Sequence, residues 1–143
     1  MVKAQFYEHR GASAVLQRKG LLTEIHDVVS RIPSLGSGTH DMVSGLLGAK
    51  KWQLKARLLP GTGYTQDAFK EGVMVEIDLR GSLLDSVHRN FLRAQELFNR
   101  RTVEALVQIT ETEREPKFSN MKRDIEAFSS VLTVPIYLVG LSG

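Results

Sequence analysis

Hydrophobic positions along the chain follow two rhythms. Leu21, Leu22, Ile25, Val28, Val29 and Ile32 recur at helical spacing and Pro33 closes the run, which predicts an amphipathic helix. The next stretch, "PSLGSGTHD", predicts a turn, with Thr39 or Asp41 capping a short helix that carries Met42, Val43, Leu46 and Leu47. In "WQLKARL" the period drops to two: Trp52, Leu54, Ala56 and Leu58 alternate with Gln53, Lys55 and Arg57, a strand with one polar face that "PGTG" at 60–63 ends. Residues 73–79 alternate again. Val73, Val75, Ile77 and Leu79 form a core side, and Met74, Glu76 and Asp78 form an opposite side expected to tolerate solvent.

The second half continues in larger units. Leu84, Val87, Phe91, Ala94 and Phe98 mark a long helix, and "TVEALVQIT" at 102–110 a largely apolar strand. A polar connection is expected over 111–120, then a helix holding Met121, Ile125, Phe128 and Leu132, and a buried strand "VPIYLVGL" at 134–141. This β-α-β-α-β order predicts adjacent parallel strands joined by right-handed crossovers. With no internal repeat or linker, residues 1–143 read as one α/β domain.

Composition narrows the chemistry. At 143 residues, 42% of them hydrophobic and 24% charged, the chain suffices for one well-packed core. The absence of cysteine excludes disulfides, thiolate nucleophiles and Cys-based zinc sites. His9, His26, His40 and His88 lack metal-ligand spacing, so zinc is not expected. No apolar run approaches the ~20 residues that span a bilayer and no signal-peptide pattern opens the chain, so a cytoplasmic location without membrane contact is expected. A net charge of +3 permits a polyanionic partner without requiring one.

The candidate chemistry is acidic. Asp67 lies nine residues before Glu76, and Lys70, Glu71 and Gly72 between them suit a turn, so Asp67 can sit on a preceding strand whose end approaches Glu76 and Asp78. Three converging carboxylates repel one another unless a cation neutralises them, and an oxygen-only donor set suits Mg²⁺. On spacing alone, a solvated sheet face is the commoner explanation of the same pattern.

Several separate stretches carry a resemblance. "FYEHRGASAVL" leading into "LLTEIHDVVSRIP", "KKW" before the first predicted strand, the Asp67-to-Glu76 interval and the closing "VPIYLVGL" together resemble the BglII-type restriction endonucleases, a branch of the PD-(D/E)xK nuclease superfamily. The resemblance implies a restriction-endonuclease-like mixed β-sheet flanked by α-helices. It also implies a homodimer that uses Mg²⁺ to cut double-stranded DNA at a short palindrome, GATC-centred in relatives. Asp67 and Glu76 match the two acidic metal ligands. Asp78 falls where the superfamily most often has Lys and close relatives have Gln or Glu, and Gln66 replaces the motif's proline. On this reading Asp67, Glu76 and Asp78 are catalytic and metal-binding, and Glu24 on the first predicted helix orders water nearby.

The same resemblance sets Pro116, Lys117, Phe118, Ser119 and Asn120 against a loop that enters the major groove. Asn can pair with adenine and Ser with any base edge, although Ser119 or Asn120 serves equally as the N-cap of the following helix. Arg80, beyond Glu76 and Asp78 on their strand face, and Lys117, Lys122 and Arg123 around the loop are the expected phosphate contacts. Arg89 and Arg93, one turn apart, can contact phosphates or form a solvated helix face, and the solvated face is the simpler reading. The short helix at 41–48 is the expected dimer element. A non-catalytic DNA-binding or assembly module with the same fold is the alternative function.

Overall fold

The structure, a computed structural model, describes residues 1–79, 84–112 and 117–143, and of 84–88 the backbone only. In chain order the elements are β1 (Lys3–His9), α1 (Ala12–Arg18), α2 (Leu21–Ser30), α3 (Thr39–Ala49), β2 (Gln53–Ala56), β3 (Gln66–Lys70), β4 (Val73–Ile77), α4 (Leu84–Asn99), β5 (Ala105–Glu111), α5 (Lys117–Ala127) and β6 (Ile136–Ser142). The strands form one sheet in the order β1-β6-β5-β4-β3-β2. β4, β5 and β6 are parallel, while β1, β3 and β2 join antiparallel, so the sheet is mixed.

Connectivity decides which face each helix covers. β4-α4-β5 and β5-α5-β6 step across the sheet in the same direction, so two right-handed crossovers lay α4 and α5 on one face. There Phe91, Ala94, Leu97, Met121 and Ile125 pack on Met74, Leu106, Ile136 and Leu138. The other face meets α1, α2 and α3 through Leu16, Ile25, Val28, Val43 and Leu47, against Val73, Val75, Val107 and Val139. Every residue of β4 is therefore buried. The expected solvated face of Met74 and Glu76 does not exist, because α4 covers it.

Local chemistry fixes two further details. β3 turns into β4 through Glu71 (φ 48°) and Gly72 (φ 83°), the two left-handed positions of a tight hairpin, with Lys70 paired to Val73. At Gly140 in β6 a side-chain carbon would stand 2.5 Å from Phe118 and 2.6 Å from Thr112, so only glycine lets α5 settle this close to the sheet.

Three expectations change at this level. β1 and α1 occupy the first twenty residues, where no periodicity announced them; β1 is an edge strand whose only neighbour is β6, and His9 is its one fully buried residue. β2 spans four residues instead of seven and includes Lys55 at φ 51°, a kink in an edge strand. α5 begins at Lys117, so Ser119 and Asn120 lie inside its first turns, neither in a loop nor at its cap. Among the described residues no helix is long and apolar enough to cross a membrane.

Candidate active site

The site forms where the β3–β4 ladder ends. Regular pairing runs from Lys70–Val73 to Ala68–Val75 and then stops. Beyond that point side chains take over the backbone's hydrogen bonds. Asp67 N–H donates to Glu76 Oε1 at 3.2 Å, and Ile77 N–H donates to Asp67 Oδ2 at 2.7 Å. Each carboxylate thus satisfies a main-chain donor that the parting strands would otherwise leave unpaired.

This arrangement buries Glu76 and half-buries Asp67. Glu76 is 8% exposed, and its pKa is pushed up to about 8, first by burial and then by the negative charges of Asp67 and Asp78. Asp67 is also raised, again by burial first, although the Ile77 N–H and the neighbouring His40 oppose the shift. His40 Nε2, from α3, lies 3.5 Å from Asp67 Oδ1.

Asp78 is anchored differently. Its backbone N–H continues the β4–β5 ladder by donating to Ile109 O at 2.8 Å. Its side-chain Oδ2 accepts from Asn90 Nδ2 of α4 at 2.6 Å and from Gln108 Nε2 of β5 at 2.8 Å. Asn90 also donates to Gln108 Oε1 at 3.2 Å, closing a buried amide–carboxylate network. Two carboxylates at the parting strands, both raised first by burial and then by neighbouring negative charge, supply oxygen donors of the kind a small hard cation takes. Asp67 and Glu76 are the pair that fits it; among the described residues no three His, Asp or Glu side chains are gathered closely enough to hold one ion.

Glu24 does not join the cluster. Its carboxylate accepts from Trp52 Nε1 at 2.9 Å and from Lys70 Nζ at 2.9 and 3.1 Å, at the hairpin end of β3, roughly 10 Å of strand from Asp67. Lys117 is buried and donates through Nζ to Leu79 O at 2.7 Å, a strut between α5 and the end of β4 rather than a surface cation. Ser119 is exposed, and Asn120 accepts from Arg123 within α5. Lys122 stands over the Tyr7 ring at 5.2 Å. Arg80 lies outside the described residues.

Three participants were not expected from the sequence. Gln108 had a signal, a lone amide inside an apolar central strand. Asn90 and His40 had none beyond their residue type, because only the packing of α3 and α4 brings them to the cluster. Arg93 Cζ sits 3.5 Å over the Tyr64 ring, and its charge pulls against the raised pKa of Glu76.

No protein-family model and no curated protein matches the sequence. Among solved structures, the crystal structure of restriction endonuclease BglII complexed with a DNA 16-mer is similar, with a TM-score of 0.85 at 19% identity over 99% of this chain and 78% of that one. The fold is that of a restriction endonuclease. The mixed sheet flanked by helices that the resemblance implied is therefore present. Within the restriction-endonuclease fold as this chain builds it, Asp67 on β3 and Glu76 on β4 stand on neighbouring strands at the point where these separate.

Proposed function

We propose that this chain is a Mg²⁺-dependent endonuclease that cuts double-stranded DNA as a homodimer at a short palindrome, GATC-centred as the sequence resemblance implies. The Asp67–Glu76 pair carries the reading: a buried and a half-buried carboxylate, both with raised pKa values, side by side where β3 and β4 part. A solvated surface pair has no reason to be buried, and a structural pair of like charges costs stability. A cation converts that cost into binding energy. Asp67 and Glu76 would hold the ion, and Asp78, fixed by Asn90 and Gln108, adds negative potential beside it.

When bound, Mg²⁺ supplies a Lewis acid that draws charge from a phosphodiester and assists ionisation of water. The reaction consumes one water. Its oxygen bonds to phosphorus, the bond from phosphorus to the 3′ oxygen breaks, one water proton passes to solvent and the 3′ oxygen gains one, leaving a 3′-hydroxyl and a 5′-phosphate. The chain's part is to hold the carboxylates rigid through main-chain hydrogen bonds, so that little reorganisation accompanies the step.

Two-fold cutting of a palindrome asks for a two-fold dimer. The short helix α3 is a poor interface element, because Val43 and Leu47 are spent on the chain's own core. We place the interface on the α4–α5 side. Leu92, Phe128 and Val131 are 70%, 56% and 69% exposed there, around an apolar cavity of about 240 Å³. One observation favours the alternative of a non-catalytic DNA-binding module: Asp78 is tied down by two amides instead of facing the acidic pair freely.

Incubating the protein with supercoiled plasmid and Mg²⁺ and mapping the ends tests the reading. Discrete ends bearing 5′-phosphates, lost in Asp67→Ala and Glu76→Ala, are expected. A protein that binds duplex in Ca²⁺ but leaves plasmid uncut in Mg²⁺ is the module instead.

A further inference from the structure

Asp67, Glu76 and Asp78 form an anionic floor that one divalent ion does not neutralise, and a phosphodiester approaching it brings a further negative charge. Some fixed cation must therefore face the floor if DNA is to be cut there. The buried Lys117 amine already donates to Leu79 O. Lys70 is consumed by Glu24 and by the Lys50 carbonyl, and Lys50 by Asp27.

Arg93 is differently placed. It stands three residues after Asn90 on α4, so both project from the same side of the helix, and Asn90 already touches Asp78. Among the described residues no carboxylate lies within ion-pair distance of its guanidinium. What holds it is a ring: Arg93 Cζ lies 3.5 Å over Tyr64. Tyr64 belongs to the segment entering β3, two residues before Gln66, and that segment is itself pinned. Tyr64 N–H donates to Thr62 Oγ1 at 3.2 Å, Thr62 Oγ1 donates to Leu59 O at 2.9 Å, and Leu59 is buried in the α4–α5 core. Stacking occupies the face of the guanidinium and leaves its edge, with the N–H donors, free for a planar or tetrahedral oxyanion.

We propose that Arg93, stacked on Tyr64 beside the acidic cluster, is a catalytic residue that grips the scissile phosphate. The inference rests on the endonuclease reading and adds its cationic half. As the water oxygen bonds to phosphorus and the bond to the 3′ oxygen breaks, charge builds on the non-bridging oxygens, and Arg93 donates to one of them. Tyr64 is a positioning residue. The pull of Arg93 on Glu76 agrees with this proximity.

Single-turnover cleavage of one duplex in Mg²⁺, and its affinity and salt dependence in Ca²⁺, test the proposal. Arg93→Ala is expected to slow cleavage about 100-fold, the scale for losing one transition-state donor. In Ca²⁺ it should flatten log K against log salt by about 0.9 with only a modest loss of affinity. Arg93→Lys keeps the charge but loses the fork and the stack, and should fall between wild type and Ala. Tyr64→Phe should cut like wild type, whereas Tyr64→Leu should lose rate with an unchanged urea midpoint. Arg100→Ala, whose guanidinium pairs with Glu96 elsewhere on α4, serves as the control. Wild-type rates in Arg93→Ala overturn the proposal alone. If Arg93→Ala fails to fold, full activity in both Arg93→Lys and Tyr64→Leu overturns it. Wild-type protein that cuts no duplex overturns the endonuclease reading and this inference together.

Discussion

Asn90 on α4 donates a 2.6 Å hydrogen bond to Asp78 at the end of β4. Because Gln108 reaches the same oxygen from β5, one carboxylate ties the covering helix to two central strands. Asn90→Ala removes one donor and strands Gln108 Oε1 in a buried place. Urea denaturation should show a loss of about 1–3 kcal/mol, the cost of an unsatisfied buried polar group. A change within ~0.5 kcal/mol, typical of surface sites, would mean the network contributes nothing.

Metal-free protein should lose stability as pH rises. Glu76 has a folded pKa of about 8 against an ordinary value of 4.5. Between those values the folded state keeps a proton that the unfolded chain has released. Stability from this group is therefore full below about 4.5, declines through the interval and is gone above about 8, a change on the order of 3–5 kcal/mol. Urea midpoints at either end of the interval, in a chelator, measure it. Glu76→Gln should flatten the dependence, and an unchanged slope would place the proton elsewhere.

Ion binding should expel that proton. Calorimetry with Mn²⁺ or Ca²⁺ near neutral pH, in two buffers of different ionisation heat, is expected to report release of about one proton per ion. Asp67→Ala and Glu76→Ala should each abolish binding. Undiminished binding in both variants would remove the metal site.

For the dimer, sedimentation velocity at micromolar concentration should give twice the chain mass. Leu92→Glu on α4 and Val131→Glu in the segment after α5, placing charges on this exposed apolar patch, should shift it to the monomer. A monomer in wild type, with and without DNA, contradicts the assignment.

On the endonuclease reading, variants in α5 should distinguish base reading from phosphate contact. Asn120→Ala should reduce discrimination between duplexes by about 1–3 kcal/mol and leave the salt slope alone. Lys122→Ala should weaken every sequence alike and lower the slope by about one contact. Competition titrations in Ca²⁺ distinguish the two patterns.

Much of the architecture could be read from periodicity, and the site only in outline. The helices at 21–30 and 39–49, the β3–β4 hairpin and the β-α-β-α-β second half follow from spacing and turn residues alone. Asp67 and Glu76 were recognisable because a hairpin brings them together locally. β1 escaped because an edge strand buries too little to imprint a pattern, and the start of α5 because its first turn is polar in sequence while Lys117 is buried. The partners of Glu24, Trp52 and Lys70, were hidden for a related reason, since they come from distant segments that only the assembled sheet brings to it. The partners of Asp78 come from across the sheet, and no local spacing encodes which amide of a distant helix meets which acid.

Gly140 gives the molecule an unexpected point of control. The missing side chain there sets the depth of α5, and α5 carries Lys117, whose amine braces the residue after Asp78. A single methyl group on the far strand would act as a shim. It would raise the helix, lengthen the brace and loosen the mouth of the acidic fork, altering its clearance without touching any residue that lines it.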